Sequence, residues 1–169
     1  MRVSTWKSRG RLALFLATML AAGGCAGSKG PPVAWKVSIT KATPASIEVD
    51  LIGVTEADKP FWAGYDLDKY WTPGDLRRRQ ADKLSKTLPL NQPWSVERND
   101  PKWNDWLNRG ATDLLIIANL PGRFDPGPAD PRRIFVPLDK KSWEAKDQAL
   151  EIQVQDTLIR VLTRQKLRK

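Results

Sequence analysis

Cys25 is the only cysteine among 169 residues, and the chain contains no histidine. A single thiol with no imidazole excludes Cys–His and Ser–His–Asp nucleophilic catalysis and the usual zinc and copper ligand sets. With no second thiol there is no disulfide either. The remaining reactive groups are carboxylates, which in suitably placed pairs hydrolyse glycosides. Asp66, Asp68 and Asp75 lie near one another in sequence but form no acid/base motif, and acids on a loop are ordinarily solvated. No catalytic residue and no metal ligand is expected, so the chain reads as a non-enzyme. The same stretch is unusually aromatic, with Phe61, Trp62, Tyr65, Tyr70 and Trp71 set among these acids and Asp58. Trp and Tyr offer large rigid area with a polar handle, which suits recognition of a protein or a sugar. The competing reading is a satellite core packed over the open end of a sheet. It is favoured because the spacing does not force the rings outward.

Ahead of Cys25 stand Arg2, Lys7, Arg9 and Arg11 with no acidic residue, then an apolar run from Leu12 to Ala22, then Gly23 and Gly24. These are the three regions of an export signal. The run is shorter than the ~20 apolar residues that span a bilayer, so it reads as cleaved and not as an anchor. The small residues Ala22, Gly23 and Gly24 before a cysteine resemble the lipobox of bacterial lipoproteins, in which a signal peptidase cuts before the Cys and the thiol and new amine are acylated. The common lipobox has Leu where this chain has Ala22. Each buried acyl CH₂ contributes roughly 0.8 kcal/mol, so two or three chains make attachment effectively permanent. Residue 26 is Ala and not the Asp that retains many lipoproteins at the inner membrane, so the resemblance implies the outer membrane, reached through lipid on Cys25. No other cofactor is expected.

Removing residues 1–24 leaves enough chain for one domain and not for two. The formal charge of +9 is concentrated at the ends: the signal supplies four basic residues, and Arg160, Arg164, Lys166, Arg168 and Lys169 five more, with no acid in either segment. The body between them has formal charge zero, which argues against a nucleic-acid surface. The tail favours an anionic surface.

These residues need elements to position them. Residues 25–32 are a short tether of small residues, and residues 33–163 a single domain followed by the basic tail 164–169. Val33, Trp35, Val37 and Ile39 alternate with polar or small residues, and Ile47, Val49 and Leu51 do the same after Thr43-Pro44-Ala45, which predicts two strands paired as a hairpin. Residues 55–75 read as irregular. Thr72 as N-cap with Pro73 and Asp75 predicts a surface helix from Leu76 to about Leu84, whose Arg77, Arg78 and Arg79 read as a solvated face. Lys86 to Leu90, with Pro89, predicts an edge strand. Asp100-Pro101 to Arg109-Gly110 is a helix start and stop enclosing Trp103, Trp106 and Leu107 on one face, expected to dock on the core. Leu114 to Leu120 is apolar on both faces and predicts a central strand. A Pro-rich loop from Gly122 to Arg133 follows, then a strand from Ile134 to Leu138. A closing hairpin is predicted over Leu150 to Val154 and Leu158 to Leu162. About seven strands and two short inserted helices make an all-β sandwich.

The order of these features resembles the outer-membrane lipoprotein of the type VI secretion system, the TssJ type. The shared pattern is the lipobox Cys25, an early strand of the form Ile47-Glu-Val-Asp-Leu-Ile-Gly-Val54, and an aromatic insertion like Phe61 to Trp71. A late apolar strand like Leu114 to Leu120, a strand like Arg132-Arg-Ile-Phe-Val-Pro-Leu138 and a closing hairpin complete it. The loop from Gly122 to Arg133 is long for that family, and its partner-binding loop has no residue pattern here. The resemblance implies a transthyretin-like sandwich and a non-catalytic anchor at the periplasmic face of the outer membrane, tethering an inner-membrane TssM-like protein. The aromatic residues Phe61, Trp62, Tyr65, Tyr70 and Trp71 are the candidate partner-binding set. The alternative is an envelope lipoprotein binding glycan or peptidoglycan through them.

Overall fold

The computed structural model describes residues 30–88, 92–144 and 149–166. The expected signal, Cys25, Pro89 and Leu90 of the predicted edge strand, and residues 167–169 of the tail lie outside the described residues. Among the described residues, no helix is long and apolar enough to cross a membrane.

Within the described residues, eight strands form two four-stranded sheets packed face to face. The first sheet, in the order β4-β1-β7-β8, contains β1 (Val37–Lys41), β4 (Trp94–Val96), β7 (Leu150–Val154) and β8 (Ile159–Val161). The second, in the order β3-β2-β5-β6, contains β2 (Glu48–Val54), β3 (Lys83–Thr87), β5 (Asp113–Ala118) and β6 (Arg133–Pro137). The period-two pattern explains the layering. Val37 and Ile39 of β1 align with Leu150 and Ile152 of the parallel β7, and all four side chains enter the shared core. From the facing sheet come Val49, Leu51, Leu114, Ile116, Ala118 and Val136. Trp35, Trp103, Trp106 and Trp143 fill the same core and are essentially inaccessible to solvent. The predicted sandwich is therefore present, with one strand more than expected. The extra strand, β4, has only three residues, too few to show a period, although Trp94 and Val96 both point inward.

The predicted hairpin of β1 and β2 does not form. β1 pairs with β4 and β7, and β2 with β3 and β5, so residues 42–47 cross from one sheet to the other. Alternation specifies which side chains face inward and not which strand lies alongside, so two such strands satisfy it equally as neighbours or across the core. The closing hairpin does form, with Ile152 opposite Val161 and Val154 opposite Ile159.

Among the described residues the helices number four, not two: α1 (Lys59–Gly64), α2 (Leu67–Trp71), α3 (Leu76–Gln80) and α4 (Pro101–Asn108), with a 3₁₀ turn at Lys140–Ser142. α4 matches its prediction, capped by Asp100 through Lys102 N–H and closed near Gly110, whose φ of +82° suits glycine. α1 and α2 occupy the stretch read as irregular, because helices of five or six residues are too short for a 3.6-residue period to register. α3 starts at Leu76 as predicted, but its cap and its end differ. Asp75, not Thr72, accepts from Arg78 N–H, while Thr72 closes α2; the helix ends at Gln80, and Lys83 and Leu84 belong to β3.

β5 is the middle of the second sheet, as predicted, and all six of its residues are buried. Leu114, Ile116 and Ala118 enter the inter-sheet core, whereas Leu115 and Ile117 join Ile52, Val54, Leu67 and Tyr70 in a second apolar cluster on the outer face. Burying each such Leu or Ile contributes about 1.5–3 kcal/mol, so the outer face of this sheet needs a cover.

Candidate functional site

That cover is the segment joining β2 to β3, which carries α1, α2 and α3 and the whole aromatic group. Tyr70 and Leu67 are fully buried against the sheet, Trp62, Tyr65 and Trp71 are half-buried, and Phe61 is 43% exposed. The rings form a continuous chain: Phe61 and Tyr65 lie tilted at 40° with centroids 5.3 Å apart, and Phe61 to Trp62 at 5.4 Å, Trp62 to Tyr70 at 6.1 Å and Tyr70 to Trp71 at 5.2 Å meet edge to face. Such pairs favour this geometry because the positive edge of one ring meets the negative face of the next. The satellite-core reading describes most of the group, although the rings cover the outer face of the sheet and not its open end. Tyr70, placed in the candidate binding set from sequence, offers no surface to a partner.

Among the described residues, four ion pairs tie the insertion to β2, to β5 and to Arg132 at the start of β6. On β2, the Asp50 side chain is wholly buried; it accepts from the Tyr70 hydroxyl at 2.8 Å and from Arg78 Nε at 2.9 Å. Arg78 also donates to Glu48 at 2.5 Å and lies over the Trp71 ring at 4.2 Å. On β5, Asp113 is bound by Lys59 of α1 at 2.7 Å. At the start of β6, the buried Arg132 pairs with Asp130 at 2.8 Å and reaches Asp68 of α2 at 2.5 Å. The neighbouring Arg133 donates to the carbonyl oxygens of Trp62 and Gly127.

Burial, and then the Asp50 charge beside it, raises the Tyr70 pKa well above its ordinary value of 10.0. Burial opposes the charge on Arg78, but its bonds to Asp50 and Glu48 outweigh that, and its pKa is raised as well. Arg133 is buried without a carboxylate contact, and desolvation lowers its pKa. The arginines at 77 to 79 are therefore not equivalent, because only Arg78 turns inward. The sequence held one signal for this, the acids Glu48 and Asp50 on a strand whose other residues are apolar.

Each carboxylate that had been weighed for acid/base chemistry has a structural contact. Asp66 caps α2 through the N–H groups of Asp68 and Lys69, Asp75 caps α3 and accepts from the Tyr65 hydroxyl at 2.8 Å, and Asp68 binds Arg132. Among the described residues, no group of three His, Cys, Asp or Glu side chains is placed to hold a metal.

The exposed part of the insertion is a cleft of about 660 Å³ lined by Phe61, Tyr65, Lys69, the turn Thr72–Asp75, Leu76 and Arg77. Leu76 is 63% exposed, and the Arg77 guanidinium lies 5.1 Å from the Phe61 ring centre. A second cleft of about 320 Å³ shares Phe61 and Arg77 with it. Leu76 and Arg77 were not in the sequence-derived set; an apolar residue beside basic ones at the start of a surface helix was their only signal.

No family model matches the chain, and no curated protein matches its sequence. Solved structures do. A chain from a structure described as a type VI membrane complex aligns with a TM-score of 0.52 at 14% identity, covering 77% of this chain and 98% of the other. The structure of Serratia marcescens Lip, described as a membrane-bound component of the type VI secretion system, aligns with a TM-score of 0.46 at 14% identity, covering 78% and 99%. The chain therefore shares its two-sheet fold with a chain of a structure described as a type VI membrane complex, across 98% of that chain's length.

Proposed function

We propose that the protein is a non-catalytic lipoprotein, anchored in the outer membrane by acyl chains on Cys25, that tethers an inner-membrane TssM-like partner within a type VI secretion membrane complex. The observation that carries this reading is the fold match, which spans 98% of a chain from a type VI membrane complex and 77% of this chain. The lipobox-like segment before Cys25 supports the anchor. The partner surface is the exposed rim of the insertion, Phe61, Leu76 and Arg77 with the accessible edges of Trp62, Tyr65 and Trp71, because large apolar side chains beside arginine are the composition of interface hot spots.

The test is a crosslinked pull-down of the native lipidated protein from solubilised envelopes, with Cys25→Ser as the unanchored control. Recovery of a large inner-membrane protein with a periplasmic domain supports the tether. Recovery of glycan and lipid alone overturns it in favour of the glycan-binding alternative.

A further inference from the structure

The two ends of the described chain meet at one place. At the N-terminal end, Pro32 bridges to Asp139, Val33 N–H donates to the Leu138 carbonyl, and Gly30 lies against the Lys141 side chain. At the C-terminal end, Gln165 bridges to Trp143, Lys166 N–H donates to the Ser142 carbonyl, and Glu144 N–H donates to the Arg164 carbonyl. The segment 139–144 is thus clamped between the emerging tether and the tail. Segments 140–144 and 164–166 together contain four basic residues, Lys140, Lys141, Arg164 and Lys166, against one acid, Glu144. Lys141, Arg164 and Lys166 are exposed, and Leu162, 43% exposed, precedes the tail.

Four residues separate Cys25 from Gly30, and the five steps between them reach at most about 17 Å when fully extended. If Cys25 carries lipid, this basic end is confined within that distance of the bilayer. The Debye length is about 8 Å at physiological ionic strength, so contact, and not mere proximity, is needed for attraction.

We propose that this face, built on Lys141, Arg164 and Lys166, docks against the phosphates of anionic phospholipid headgroups in the leaflet that holds the anchor. The inference rests on the lipidation of Cys25 proposed above. Docking fixes the orientation of the domain: the tether end faces the lipid, and the aromatic insertion, on the outer face of the second sheet, is presented sideways to the periplasm. The acyl anchor and the short tether hold the basic face at high effective concentration beside the headgroups, so a weak electrostatic contact suffices to orient the domain.

The test uses the mature lipidated protein in vesicles of phosphatidylcholine with phosphatidylglycerol and in vesicles of phosphatidylcholine alone. Labelling of individual lysines by a membrane-impermeant amine reagent is read by mass spectrometry. Lys86, on the edge strand β3 and away from the tether end, is the internal reference. Lys141 and Lys166 are expected to label more slowly relative to Lys86 only in the phosphatidylglycerol vesicles, and high salt is expected to abolish the difference. Arg164→Gln, which leaves both reporter lysines in place, is expected to weaken the protection about fivefold. Equal relative labelling in the two vesicle types, with Cys25 shown to be acylated, overturns the docking face and leaves the anchor reading intact. Absence of acyl mass on the Cys25 peptide overturns both.

Discussion

Asp50 carries the most consequential single contact of the insertion. Its carboxylate is buried on an otherwise apolar strand and is held by Tyr70 and Arg78, with Oδ1 unpartnered among the described residues. Removing one partner of a buried pair strands the other charge, so Arg78→Ala is expected to cost about 3 kcal/mol, read as a lower denaturant midpoint at unchanged slope. Arg78→Lys should recover only part of this, since an ammonium cannot serve Asp50 and Glu48 in the same forked geometry. Tyr70 sets a pH signature. Its pKa is raised in the folded state above the ordinary value of 10.0, so the folded protein holds this proton more tightly. Its contribution is fully present below pH 10 and is lost as the pH climbs above it. Tyr70→Phe should therefore show a shallower fall in stability on the alkaline side than the unmodified protein. A slope unchanged by the substitution would mean that the hydroxyl does not titrate against folding.

Among the elements, α4 and β2 show how closely the sandwich is packed. Gly53 faces Trp106, and a Cβ added there would lie 2.3 Å from Trp106 Cγ, a separation that real contacts do not reach. Trp106 cannot swing away cheaply, being fully buried with its indole N–H donated to the Asp82 carbonyl at 2.9 Å. Gly53→Ala is expected to destabilise by about 1–3 kcal/mol through overpacking. Pairing it with Trp106→Leu should cost less than the sum of the two single changes, because the contact is shared. Strictly additive costs in that double-mutant cycle would refute the steric account. The three short helices of the insertion are different, since each is below the length at which a helix is stable alone in water. They persist because Leu67, Tyr70 and the ionic contacts from β2, β5 and β6 hold them to the sheet.

At the scale of the molecule, the second sheet is covered on both faces, and the rim of its cover is where a partner would bind. Phe61 and Leu76 lie outside the two buried clusters, so Phe61→Ser with Leu76→Ser should cost only about 1–2 kcal/mol, mostly the ring contacts of Phe61, and leave the domain folded. The same pair should abolish recovery of the inner-membrane partner in the crosslinking experiment if these side chains are its anchors, where each hot-spot truncation costs about 2 kcal/mol or more. Full recovery by the double variant would move the interface elsewhere on the sandwich.

Local chemistry determined a good deal by itself. The capped helix at Asp100 to Gly110, the doubly apolar β5 and the closing hairpin were all legible, because capping, turn chemistry and side-chain alternation act within a few residues. Glu48 and Asp50 read as the polar positions of β2, whereas Asp50 is buried beneath the insertion and paired with Arg78. Only the tertiary structure decided that β1 and β2 lie in opposite sheets, that the aromatic stretch is helical, that Tyr70 is buried while Phe61 is exposed, and that tether and tail converge beside Lys141. Each of these depends on contacts between residues far apart in the chain. The pattern within a segment tells which side chains must be buried, and the sum of long-range packing and ion pairing selects what buries them.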